Sequence, residues 1–78
     1  MPRVKKTLEL DVKRIAPKNW GIYKVGRKSP LEDDLRTRED AIDVARHMAY
    51  TENMSNRPVT VRVHRLNGGV SKETHYAV

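Results

Sequence analysis

The chain contains no cysteine and no phenylalanine, and its aromatic residues are one tryptophan and three tyrosines. Without cysteine there is neither a disulfide framework nor a thiolate metal site, which suits a reducing cytoplasm. No apolar run approaches the roughly 18 residues a membrane span requires. The opening MPRVKKTLEL is basic but lacks the apolar stretch of about 7 to 15 residues found in signal peptides. The sequence therefore reads as that of an intracellular, cytoplasmic protein. Catalytic signatures are missing too, with no glycine-rich phosphate loop and no nucleophile motif. These absences argue against an enzyme. With 78 residues the chain makes one domain. Such a short chain buries only about 60% of its unfolded surface, and one helix layered on one sheet is an economical core.

Charge is what the sequence has in quantity. The net value of +6 is unevenly spread. Residues 1–28 carry nine basic side chains against Glu9 and Asp11, a net +7. Residues 29–52 carry three basic against seven acidic side chains, a net −4, and residues 53–78 four against one, a net +3. Basic segments thus flank an acidic middle, which implies a positive sheet side and a negative helix side.

The acidic middle holds the one long helical pattern. In Thr37–Thr51 the residues Ala41, Val44, Ala45, Met48 and Ala49 recur at i, i+3, i+4, i+7 and i+8, one stripe of a helix. Thr37 is the expected N-cap with Asp40 three residues on, and Asn53 is the candidate for the left-handed C′ position. Before the helix, residues 1–7 read as a flexible basic arm preceding a single domain over 8–78. Leu8, Leu10 and Val12 then alternate with Glu9, Asp11 and Lys13 as a half-buried strand. Ile15 breaks the parity and suggests a bulge near Arg14. A turn over Ala16–Asn19 leads to a return strand over Trp20–Val25, with Val12 opposite Ile22 and Trp20 as the largest core anchor. Gly26–Arg36 reads as a polar connection, with Leu31 and Leu35 tucked beneath it. After the helix, Val59, Val61 and Val63 alternate with polar residues, and Asn67-Gly68 signals a two-residue hairpin turn. Closing there pairs Leu66 with Gly69, His64 with Ser71, Arg62 with Glu73 and Val59 with Tyr76. The expected fold is α+β, two β-hairpins joined by one helix (β-β-α-β-β). Its sheet would be four-stranded and mainly antiparallel, with the helix on one face.

Trp20-Gly21-Ile22, the Thr37–Ala45 segment TREDAIDVA, Val61-x-Val63-His64-Arg65-x-x-Gly68 and Tyr76 together resemble a family of short bacterial and phage domains of unknown function. That family is marked by W-x-V, T-x-x-E-A-I-x-x-A and V-x-V-H-R-x-x-G-x-I patterns. The likeness covers roughly residues 10 to 77 and departs at Asp40, where the family usually has Glu, and at Asn67, where Asp is common. The motifs are an anchor, a cap and a turn, so the resemblance implies a topology and no active site.

Candidate chemistry follows from charge. His64 and His75 project outward on adjacent strands but on the order of 13 Å apart, too far for a shared metal ion. Glu32-Asp33-Asp34 forms no cation cage. No catalytic, metal or cofactor site is expected. The outer sheet face should present Lys13, Tyr23, Arg62, His64 and His75. Lys18, Arg27 and Lys28 lie at its ends, with Arg3, Lys5 and Lys6 from the arm nearby. Cations with an aromatic among them suit sequence-independent nucleic-acid binding, DNA foremost. The alternative is a protein-interaction module, such as a phage-type inhibitor or regulator docking on a host protein, or a homodimer. It would use Tyr23, Val25 and Leu66 on that face.

Overall fold

A computed structural model gives the architecture and describes residues 5–78, so Arg3 and the rest of residues 1–4 lie outside the described residues. The elements are β1 (Leu8–Ala16), β2 (Asn19–Lys24), β3 (Glu32–Leu35), α1 (Arg38–Met54), β4 (Val59–His64) and β5 (Val70–Tyr76). They form one sheet in the order β3-β2-β1-β4-β5, with α1 across one face. Among the described residues, no helix is long and apolar enough to cross a membrane.

The core follows from strand alternation. Leu8, Leu10 and Val12 of β1, Trp20 and Ile22 of β2, and Val59, Val61 and Val63 of β4 all point to the helix side and are buried. The helix meets them with Ala41, Ala45 and Ala49, all fully buried. Small residues at i, i+4 and i+8 let the helix backbone sit close to the sheet, while Ile42, Val44 and Met48 pack around them. Thr37 Oγ1 accepts from the Asp40 amide at 3.1 Å, satisfying one of the free N–H groups of the first turn. The C-terminal end differs from expectation. The helix runs to Met54, and Asn56 takes the left-handed conformation at φ 66°. Asn53 stays inside the last turn, where its amide donates to the Arg57 and Tyr76 carbonyls at 2.7 and 3.2 Å.

The sheet has five strands rather than four, and it is mixed. Glu32–Leu35 is not a loop but an edge strand on β2, with Ile22 opposite Glu32 and Trp20 opposite Leu35. Three acidic residues are poor strand formers, and this strand is held from outside. The Leu31 amide donates to the Ile22 carbonyl at 2.7 Å and the Asp34 amide to Asn19 Oδ1 at 2.9 Å. Leu35 packs on the core as expected, whereas Leu31 is exposed. The extra strand reverses everything after it. With β3 running alongside β2, the chain enters the helix at the opposite end of the sheet from a two-hairpin plan. β4 consequently emerges parallel to β1 and pairs with it from Leu8↔Val59 to Val12↔Val63. A helical crossover is what such a parallel pair requires.

Both hairpin registers match the sequence reading over most of their length, by different routes. In the first, Val12 faces Ile22, and the bulge falls between Arg14 and Ala16. In the second, the loop is Leu66-Asn67-Gly68, closed by Arg65 N donating to Gly69 O at 2.6 Å. This is a three-residue loop with a left-handed last residue, Gly68 at φ 93°, and not a two-residue type I′ turn. Arg65 therefore meets Gly69, and His64 meets Val70 instead of Ser71. An extra residue at Ser71 then restores the offset, so Arg62 faces Glu73 and Val59 faces Tyr76.

Two outcomes test this packing. Trp20→Ala should cost about 3–5 kcal/mol, as for other buried aromatics, and native emission already typical of exposed indole would contradict the anchor role. A side chain at Gly68 would touch nothing within 4 Å, so Gly68→Val should destabilise by conformational strain alone, on the order of 1–3 kcal/mol, measured by denaturant unfolding.

Candidate nucleic-acid interface

The face of the sheet away from the helix is built by the other half of the alternation. β1 contributes Glu9, Asp11 and Lys13, β4 contributes Thr60, Arg62 and His64, and β5 contributes Glu73 and His75. Because β1 and β4 are neighbours, the acids of one strand lie beside the bases of the other. Arg62 Nη2 donates to Glu9 Oε1 at 2.8 Å, and Arg62 Nε lies 3.5 Å from Glu73 Oε2. His64 Nε2 is 2.9 Å from Asp11 Oδ1, and His75 Nε2 is 3.1 Å from Glu73 Oε1. His75 Nδ1 also contacts Thr60 Oγ1 at 3.0 Å. The hydrogen bond to Glu9 holds the Arg62 guanidinium above its ordinary pKa against some desolvation, and the charges of Glu9, Glu73 and Asp11 act in the same direction.

The residues expected on the outer face are thus there, but Arg62, His64 and His75 each have a carboxylate within 3.5 Å. Arg62 and His64 are engaged by carboxylates of the same face. Tyr23 is half-buried, with the Lys13 ammonium 5.4 Å from its ring centroid, a cation–π arrangement. Among the cations that make no ion pair among the described residues, two groups lie at the two ends of the strands, while Lys72 lies on β5 and Arg36 and Arg38 flank the start of α1.

One end carries both hairpin tips, since parallel β1 and β4 finish side by side. Lys13, Arg14, His64, Arg65, Leu66 and Gly68 line a shallow concavity there of about 280 Å³, and Lys18 occupies the neighbouring turn at φ 58°. Arg14 and Arg65 were not singled out from the sequence. Their position beside two separate turns was visible, but their proximity depends on the strand direction that β3 sets. The opposite end carries Lys5, Lys6, Lys24, Arg27 and Lys28. Lys6, Lys24 and Arg57 line a second concavity with Glu9, and the Lys5 amide is tied to Asn56 O at 3.0 Å. The acidic run Glu32-Asp33-Asp34 sits apart on the β3 edge.

A five-stranded sheet with one covering helix and cation clusters at both ends is a small α+β domain. The chain belongs to the family described as an uncharacterized protein conserved in bacteria, DUF2188, whose model matches residues 13–76. No curated protein and no solved structure matches it.

The ion-pair network carries its own prediction. Arg62→Gln should lower the thermal midpoint by removing the cation that lies between Glu9 and Glu73. Glu73→Gln should cost less in that background than in the native protein. A double-mutant cycle reads this coupling, and additive losses would show that the pairs act independently.

Proposed function

We propose that this chain is a non-enzymatic nucleic-acid-binding domain that grips the phosphate backbone of DNA without reading bases and works in the cytoplasm. The observation that carries the reading is the shared concavity at the hairpin tips. Lys13, Arg14 and Arg65 line it with no carboxylate among the lining residues, and none of the three makes an ion pair among the described residues. Cations held on strand ends near one another release counterions from a polyanion, and this term supplies essentially all of non-specific affinity. Of the residues named from the sequence, Lys13, Lys18 and His64 belong to this end, whereas Arg62 lies on the face behind it.

The second reading, a protein-interaction module, draws on Leu66 at 70% exposure beside the same cations and on Met54 at 88% near the helix end. The two readings respond differently to salt, because an apolar interface does not weaken steeply with ionic strength.

Fluorescence anisotropy with labelled DNA at about 50 mM salt is the deciding experiment. The native protein should bind, and log affinity should fall linearly with log salt at a slope of about −0.9 per phosphate contact. Replacing Lys13, Arg14, Lys18 and Arg65 by Ser should make the slope shallower by roughly 3 to 4 if all four touch phosphate. Replacing Glu9 and Glu73 by Gln, which releases Arg62, should raise affinity. Absence of binding to any DNA at that salt would end this reading in favour of the protein-interaction one.

A further inference from the structure

We infer that the DNA is a duplex, contacted by both ends of the protein at once, with the sheet's outer face bridging between them. The inference rests on the nucleic-acid reading and adds the form and the minimum length of the ligand. Three observations lead to it.

The first is the sorting of the unpaired cations. Lys13, Arg14, Lys18 and Arg65 gather at one end of β1, and Lys5, Lys6, Lys24, Arg27 and Lys28 at the other. Lys6 to Arg14 spans eight residues, about 26 Å at roughly 3.3 Å per residue, and the molecule is elongated at 46 × 21 × 20 Å. The second is the composition of the stretch between them. The bridging face holds Glu9, Asp11 and Glu73, each already facing Arg62, His64 or His75 at 2.8–3.5 Å. Of these partners only Arg62 carries a fixed positive charge, so the stretch between the ends offers a phosphate chain no net attraction and the contacts fall at the two ends. A single strand tracked along this surface would meet cations only at its two ends.

The third observation concerns stacking. Sequence-tolerant single-strand binders place exposed aromatics in the path of the bases, each worth about 1–3 kcal/mol. Here Trp20 is in the core at 9% exposure, and Tyr23 is half-buried with the Lys13 ammonium over its ring. The exposed tyrosine, Tyr50, lies on the helix edge-on to Tyr76, with ring centroids 5.7 Å apart. Neither cation cluster holds an exposed aromatic among the described residues. A rigid duplex needs none. Its stiff backbone spans the roughly 26 Å between the two clusters without having to follow the face between them.

The test is a length series. Mixed-sequence DNA duplexes of 6, 10, 14 and 20 base pairs and a 14-nucleotide single strand are titrated by anisotropy at about 50 mM salt. A 6-base-pair duplex is about 20 Å long at roughly 3.4 Å per step and reaches one end only. Affinity should rise at least tenfold between 6 and 14 base pairs, beyond the gain expected from the larger number of overlapping sites, then level off. The single strand should bind more weakly than the 14-base-pair duplex. Ser replacements of Lys13, Arg14, Lys18 and Arg65, or of Lys6, Lys24, Arg27 and Lys28, should each abolish the length step. Circular dichroism and Trp20 emission serve as folding controls. Binding that is retained without a length step, or a single strand bound as tightly as the duplex, overturns the two-ended duplex and leaves the phosphate-binding reading standing. The same holds if either Ser variant keeps the step. Loss of all binding overturns both.

Discussion

The parallel pairing of β1 with β4 is the constraint on which the rest of this molecule depends. It places Leu8, Leu10 and Val12 beside Val59, Val61 and Val63, so the two most apolar strands share the centre of the sheet, directly under the alanine stripe of the helix. The same pairing sets Glu9 and Asp11 within reach of Arg62 and His64 on the other face. It also fixes the direction of both hairpins, because strands that run together also end together. Core, ion-pair network and cation placement are three consequences of one register.

The sequence spoke clearly wherever periodicity and capping chemistry act locally. The helix start at Thr37, the facing of Val12 and Ile22, and the burial of Trp20 are all local in this sense. It was silent about β3, since Glu32-Asp33-Asp34 has the composition of a solvated loop and becomes a strand only through what β2 offers it. That omission propagated. Without the fifth strand, a chain of two hairpins and a helix returns antiparallel, and the two basic turns fall at opposite ends. With it, Arg14 and Arg65 become neighbours. The second hairpin shows the opposite case, in which the turn type was misjudged, and the bulge at Ser71 restored the expected pairs. The outward direction of Glu9 and Asp11 was readable from strand parity. Their partners were not, because partnership across β1 and β4 is a tertiary fact.

The electrostatic picture changes accordingly. A count of charges by segment describes a basic protein with an acidic helix, yet net charge does not say which cations are available. Arg62 has two carboxylates around it and a raised pKa, so it belongs to the architecture of the face. Lys13, Arg14, Lys18 and Arg65 owe their availability to positions where the strands run out and no acid is opposite. Exposed ion pairs contribute little stability individually. A network that joins three strands does more to fix the register.

The central seam also dictates how the chain must assemble. Each hairpin closes over a short stretch of backbone, whereas Glu9 and Arg62, which meet across the seam, are 53 positions apart. Closing so long an intervening stretch costs chain entropy before its contacts return anything. Loop-closure entropy therefore predicts the hairpins and the helix as the early, reversible events and the docking of β4 against β1 as the committing one. Changes at the two turns should therefore slow folding, while mutations along the seam and on the alanine stripe, whose contacts complete only as it docks, should also speed unfolding. On this reckoning the strand pair at the middle of the finished sheet is the last to find its partner.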